Sequence, residues 1–200
     1  AWQVLRASAT ESRFEAQRGA HLTPFTGRDA EMETLLRLWA AARAGAGQVA
    51  LISGEAGIGK SRLAAALQER LQAESHLRLR YFCSPHGSTS PLFPVVNQIE
   101  RAAGFERSDT PERRQAKLRK FLEFFAAAPD VEAPFVADLM SLAGPRGGAS
   151  KGLTPPQCKE RTLATLLAMI GSLATRQPLL LLIEDAHWID PTSFELLGML

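Results

Sequence analysis

The residue types best suited to chemistry lie in one glycine-rich stretch. It reads Gly54-Glu55-Ala56-Gly57-Ile58-Gly59-Lys60-Ser61 and satisfies the pattern G-x-x-x-x-G-K-[ST], in which backbone N–H groups surround phosphate oxygens. Lys60 would place an ammonium group on the β- and γ-phosphates of a nucleotide, and the Ser61 hydroxyl would bind Mg²⁺. The pattern therefore predicts a P-loop, a phosphate-binding loop whose ligands are a nucleotide and Mg²⁺.

The segments on either side of this loop suit that role. Residues 48–53 are short and mostly apolar, which predicts a buried parallel strand. Residues 62–71 carry Leu63, Leu67 and Leu71 at helical spacing. The loop should therefore join a strand to a helix, so that the positive end of the helix dipole faces the phosphates.

An acidic pair follows a second apolar segment near residue 184. Residues 179–183 are all aliphatic, and Glu184 and Asp185 come directly after them. Taken alone, this pattern is a buried strand ending in a solvated acidic turn. Beside a P-loop it predicts a Walker B strand, with Glu184 on the metal and Asp185 as the general base. An aspartate base is one methylene shorter than the usual glutamate, which favours slow turnover.

The rest of the chain predicts an α/β fold, namely a P-loop NTPase with a parallel sheet flanked by helices. Residues 77–82 have the pattern of a further strand. Helices are expected over 93–103, from 110 onward, over 135–142 and after a capping box at 154–157. Residues 84–177 are therefore interpreted as a helical insertion before the Walker B strand.

Composition sets limits on the class of protein. The hydrophobic content of 46%, the charged content of 22% and the net charge of +2 are typical of a globular protein and favour neither nucleic acid nor a membrane as a partner. Cys83 and Cys158 are far apart and outside any C-x-x-C motif, which predicts reduced thiols in a cytoplasmic protein.

Three motifs in order resemble one family. Residues 25–29 (Phe-Thr-Gly-Arg-Asp), the P-loop and residues 184–191 together look like the STAND branch of the AAA-related P-loop ATPases, signalling proteins in which the nucleotide state sets an on/off conformation. The similarity covers about residues 21–200. More narrowly, the chain resembles the ATPase module found behind class III adenylate/guanylate cyclase domains, and residues 2–15 resemble the segment that joins the two.

The resemblance implies further roles. It implies a linker from a preceding domain over residues 1–20, an ATPase domain over 21–200, and ATP with Mg²⁺ as cofactors. It places Gly27 and Arg28 near the adenine. It puts the sensor strand, any arginine finger and the C-terminal helical parts beyond Leu200, so we expect a C-terminally truncated ATPase that binds ATP and hydrolyses it weakly or not at all. Partners would be covalently linked signalling domains, with oligomerisation or a protein effector as further possibilities.

Three alternatives remain open on the sequence. The same ATPase could serve a LuxR-type transcriptional regulator, which flanking sequence would distinguish from a cyclase-linked protein. A P-loop small-molecule kinase would release a phosphorylated acceptor instead of free phosphate. A structural scaffold with a vestigial site would not bind nucleotide.

Overall fold

The computed structural model describes residues 26–125, 129–142 and 151–200. The expected linker over residues 1–20 lies outside the described residues, as does Phe25. The chain divides into two compact units, and the boundary between them follows Ser75. The P-loop belongs to the first unit and the acidic pair to the second.

Two helices make up the described secondary structure of the first unit. They are α1 (Asp29–Arg43) and α2 (Lys60–Leu71). Helix α1 buries Met32 and Trp39, and α2 buries the predicted leucine stripe of Leu63, Leu67 and Leu71. The Trp39 indole Nε1 donates to Glu74 Oε2 at 2.8 Å, which ties α1 to the segment after α2.

The predicted strand over residues 48–53 is wrong. No strand is assigned there, and the side chains of Val49 and Leu51 are 95% and 85% exposed. A β-strand is defined and stabilised by backbone hydrogen bonds to a neighbouring strand. Within the described part of the chain the sheet contains two strands, and this segment is neither of them. Its apolar sequence therefore forms no strand here.

The second unit contains the sheet and most of the helices. Its elements in chain order are β1 (Leu77–Phe82), α3 (Phe93–Ala102), α4 (Pro111–Phe125), α5 (Pro129–Leu139), α6 (Pro155–Arg176), β2 (Leu179–Glu184), a 3₁₀ turn (Ala186–Trp188) and α7 (Pro191–Gly198). Strands β1 and β2 are parallel, and their register runs from Leu77 opposite Leu179 to Phe82 opposite Glu184. The fold is thus mixed α/β, with a small parallel sheet flanked by helices.

The helices between the strands form the crossover that a parallel pair requires. Their core contains Leu, Ile, Val, Met and Tyr side chains and is continuous from β1 to α7; its buried members are Tyr81, Leu92, Val95, Ile99, Leu118, Leu122, Val136, Leu142, Leu163, Leu166, Met169 and Leu196. The described segment between the two strands is therefore largely helical. Strand β2 was expected to be fully buried, but all six of its residues are only partly buried.

One helix in this crossover differs from its predicted bounds. Helix α5 begins at Pro129 instead of Phe135, and Pro134 lies inside it. Proline usually marks a helix start because it cannot donate a backbone hydrogen bond. The predicted beginning at Phe135, directly after Pro134, was therefore too late. The helix ends at Leu139, and Ser141 just beyond it has a left-handed φ of 56°. None of the helices in the described ranges is long and apolar enough to cross a membrane.

Candidate functional site

The glycine-rich loop has the backbone conformation that its sequence predicts. Gly57 and Gly59 have φ values of 81° and 99°, in the left-handed region that favours glycine. Gly59 is the N-cap of α2, and the helix begins at Lys60. A Cβ at Gly54 would lie 3.1 Å from the Ile58 Cγ2, so this position is also close-packed. The loop thus leads directly into a helix N-terminus, which attracts anions.

Lys60 contacts the loop that precedes it. Its Nζ donates to the Gly54 carbonyl at 2.9 Å and to the Glu55 carbonyl at 2.8 Å. Ser61 is exposed in the first turn of α2. The ammonium group and the hydroxyl therefore lie at the same end of the helix as the glycines.

Arg28 links the predicted adenine segment to the P-loop. Its Nη2 donates to the Ile58 carbonyl at 2.9 Å, and its Nη1 lies 3.4 Å from Glu31 Oε1. Gly27 and Arg28 both have left-handed φ values, 75° and 60°. A non-glycine residue in this region is strained, and such strain gathers at functional sites. The structure thus brings Arg28 to the P-loop, with Gly27 next to it in the chain, and the adenine role of both residues stays a prediction.

The two acids occupy different environments. Glu184 ends β2 and is held by Arg80 of β1: the Arg80 Nε donates to Glu184 Oε1 at 2.9 Å, and Nη2 lies 2.7 Å from the same oxygen. Asp185 is exposed and is the N-cap of the 3₁₀ turn, with φ 54° and no capping hydrogen bond from its side chain. The metal and base roles assigned to this pair are not tested by the structure.

Asp190 is a second carboxylate whose role the sequence did not indicate. It is 1% exposed, and its Oδ1 accepts from the backbone N–H groups of Leu92, Thr192 and Ser193 at 2.9, 3.1 and 2.9 Å. Its Oδ2 accepts from the Ser193 hydroxyl at 2.6 Å. Asp190 is thus the N-cap of α7. The Asp-Pro pair, with proline at the first helical position, was the signal for this cap.

Buried Arg80 is the other residue that the sequence reading missed. An arginine that alternates with apolar residues in a strand normally faces solvent, so no local signal indicated that Arg80 is buried. Trp188 is 41% exposed, and the centroid of its ring lies 5.1 Å from that of His187.

A thiol lies beside the acids. Cys83 follows β1 and is buried, and its backbone N–H donates to the Glu184 carbonyl at 3.1 Å. Burial raises the pKa of the Cys83 thiol to about 11, helped by the negative charges of Asp190 and Asp185. Cys83 is therefore protonated at neutral pH. Both cysteines are free thiols, as predicted.

The predicted metal ligands in each unit are oxygen donors. Among the described residues, no three His, Cys, Asp or Glu side chains gather into a group that could hold a metal ion. Mg²⁺ is usually bound by one or two carboxylates, substrate phosphates and water, and it does not need a cage of protein ligands. The hydroxyl of Ser61 and the carboxylates of Glu184 and Asp185 are oxygen donors of the kind that Mg²⁺ prefers.

Comparison with known proteins gives a family match over most of the chain. The family model described as "AAA ATPase domain" matches residues 24–200. An uncharacterised protein of Rhizobium meliloti (strain 1021), R02095, is 33% identical over 199 residues; the match covers 98% of this chain and 19% of that protein. The chain thus spans about a fifth of the length of this relative. No solved structure matches.

Proposed function

This chain belongs to the AAA ATPase domain family, and we propose that it binds Mg-ATP, hydrolyses it slowly and acts as a nucleotide-dependent switch for a linked signalling domain. The observation that carries the proposal is the glycine-rich loop that leads into α2. The Lys60 Nζ donates hydrogen bonds to two carbonyls of this loop, those of Gly54 and Glu55. AAA ATPase domains bind nucleotides, so the family match supports the same ligand.

Each residue of the loop has a proposed role. The backbone N–H groups of residues 54–61 surround the phosphates, and the Lys60 ammonium moves from the Gly54 and Glu55 carbonyls to phosphate oxygens. This exchange replaces neutral acceptors with anionic ones, which make stronger hydrogen bonds. Arg28 holds the Ile58 carbonyl and so restrains the loop, while Gly27 and Arg28 lie on the adenine side.

The acids and Ser61 are proposed to serve the metal and the attacking water. Mg²⁺, when bound, neutralises charge on the β- and γ-phosphates. The proposed metal ligands are Ser61 and Glu184, and Asp185 is the proposed general base that orients the water. An aspartate base reaches less far than a glutamate, and a misplacement of ~1 Å can lower a rate by about a hundredfold. Slow hydrolysis favours a switch over a motor.

The linked output is the most specific part of the proposal. The similarity of residues 2–15 to the segment behind class III cyclase domains supports a cyclase-associated signalling protein. The relative from Rhizobium meliloti is far longer than this chain, which leaves room for such additional domains in that protein.

Titration calorimetry with ATP in Mg²⁺ tests the binding step, and labelled ATP in single turnover tests hydrolysis. We expect binding with slow release of free phosphate. Lys60→Ala should weaken binding, whereas Lys159→Ala, which removes an exposed lysine paired with Glu195, should not. A lack of ATP binding would contradict the proposal, and transfer of phosphate to an acceptor would indicate a kinase.

A further inference from the structure

A cavity of about 60 Å³ lies between β1 and three helices of the second unit. Leu79 and Tyr81 of β1 form one side of it, and residues of α3, α4 and α6 form the others. We propose that this cavity is a binding site for a small neutral molecule that has an apolar body and one hydrogen-bonding group. Every residue that lines it belongs to the second unit, so the inference does not depend on the proposed function of the P-loop.

The face of β1 that lines the cavity is the one opposite the Arg80–Glu184 ion pair. Leu79 and Tyr81 flank Arg80 in sequence, and successive side chains of a strand point to opposite faces of the sheet. The charged pair therefore lies on the other face of β1. Among the described residues, the lining consists of apolar side chains apart from the Tyr81 hydroxyl and the Gln98 amide.

Tyr81 gives the cavity a hydroxyl that no described residue pairs. The residue is only 5% exposed, and burial raises the pKa of Tyr81 to about 12 without a contribution from a hydrogen bond or a neighbouring charge. The phenol is therefore neutral at physiological pH. Buried hydroxyls usually have a hydrogen-bond partner, since an unpaired one costs free energy. A ligand in the cavity can supply that partner.

Water suits this cavity poorly. A buried water molecule typically makes about three hydrogen bonds. The described lining offers it the Tyr81 hydroxyl and the Gln98 amide, whose Oε1 already accepts from the Arg101 Nη2 at 2.9 Å. Protein interiors contain few voids larger than a water molecule, and an empty cavity destabilises a fold. An apolar ligand with one polar group would fill the space and satisfy Tyr81 at the same time.

Volume and charge define the class of ligand. An apolar cavity of about 150 Å³ holds benzene, so the buried part of a ligand in this smaller cavity is smaller than benzene. A charged group would lose its hydration here without gaining a counter-ion. Short-chain alcohols, ketones and amides meet both limits, whereas a nucleotide meets neither. Ala102, at the end of α3, is the exposed member of the lining and marks the entrance.

An NMR titration with 2-propanol as the probe tests the site, because two convenient reporters line the cavity. Tyr81 is the single tyrosine of the chain, and Met169 is one of four methionines. Labelling tyrosine rings and methionine methyl groups with ¹³C therefore gives few signals. We expect the signals of both residues to shift together and to saturate. A molecule of four non-hydrogen atoms binds no more tightly than about 40 μM at the best known efficiency per atom, so we expect a millimolar dissociation constant.

Three variants separate hydrogen bonding from packing. Tyr81→Phe keeps the ring and removes the hydroxyl, so it should weaken 2-propanol binding by about three- to tenfold. Its affinity for xenon, which forms no hydrogen bond, should stay within about twofold of wild type, as reported by the Met169 methyl group. Ala102→Phe obstructs the entrance and should weaken both probes by about tenfold or more. Ala168→Phe is the matched control, because Ala168 is exposed on α6 and is not part of the lining; it should change neither affinity.

Each outcome bears on the inference. Saturation at neither reporter, or shifts spread over all methionines without saturation, would show that the cavity is not a binding site. Equal 2-propanol affinities for wild type and Tyr81→Phe would show that the Tyr81 hydroxyl does not recognise the ligand, and the inference would be wrong. Ala102→Phe changes an exposed position, so it keeps the site testable if Tyr81→Phe does not fold. None of these measurements uses ATP, so their failure is distinct from a failure of nucleotide binding.

Discussion

Asp190 accepts hydrogen bonds from two helix starts at once, and Asp190→Ala should therefore destabilise the second unit strongly. Its Oδ1 accepts hydrogen bonds from the backbone N–H groups of Thr192 and Ser193 at the start of α7. It also accepts one from the N–H of Leu92 at the start of α3. Leu92 is only 3% exposed and has a φ of 58°. In the Asp190→Ala variant its backbone N–H would lose its acceptor and could not be hydrated, while its backbone would keep a strained conformation.

The magnitude follows from two separate losses. Removing an aspartate N-cap costs about 0.5–2 kcal/mol, and leaving a buried N–H unsatisfied costs about 1–3 kcal/mol. Together they give a loss of about 2–5 kcal/mol in the free energy of unfolding, before any relaxation of the left-handed Leu92. At about 2–4 °C per kcal/mol for a chain of this size, the melting temperature should fall by roughly 5–20 °C.

Urea denaturation followed by circular dichroism measures the effect, and two variants calibrate it. Asp190→Asn keeps an Oδ1 acceptor and should lose only about 1–2 kcal/mol. Ser193→Ala removes one hydroxyl, whose bond to Oδ2 is 2.6 Å, and should also be mild. A loss below about 1 kcal/mol for Asp190→Ala, or equal losses for the alanine and asparagine variants, would refute the argument from unsatisfied donors.

Three further outcomes are expected. Lys60→Ala should weaken Mg-ATP binding by roughly ten- to hundredfold, since a charge-assisted bond is worth ~1.5–3 kcal/mol; equal calorimetric affinities would remove Lys60 from the site. Arg28→Ala should weaken binding by roughly two- to tenfold through loss of its bond to the Ile58 carbonyl, and unchanged affinity would contradict the restraint. At pH 8 only about one Cys83 thiol in a thousand is ionised, given its pKa of about 11. Maleimide should therefore label Cys83 far more slowly than partly exposed Cys158, as measured by mass spectrometry. Equal labelling rates would show that Cys83 is not protected.

The parts of the fold that sequence predicted correctly are those with local signals. The loop, its helix, β1 and β2 each follow from a motif or a periodicity within about ten residues. The start of α6 follows from Thr154, whose backbone N–H donates to the Gln157 side chain at 2.9 Å, as a capping box requires. Such signals depend on a few neighbouring residues, so they can be recognised without knowing what the segment packs against.

The segment over residues 48–53 shows the limit of this approach. An apolar run indicates that a strand is possible, but the strand forms only where another backbone supplies hydrogen bonds. In the described part of the chain, β1 and β2 pair with each other, and the exposed Val49 and Leu51 lie outside that ladder. Sequence hydrophobicity alone therefore could not decide whether this segment would be a strand.

The different environments of Glu184 and Asp185 could not be predicted for a related reason. Glu184 and Asp185 are adjacent and chemically alike, so any local pattern treats them as interchangeable apart from one methylene. Their environments differ because Glu184 is paired with Arg80, a residue 104 positions away. The alternation of Leu79, Arg80 and Tyr81 favours a solvent-facing arginine, so it indicated neither the burial of this charge nor the anion that it contacts. That pairing is set by the parallel register of the two strands, which a pattern within either strand alone does not specify.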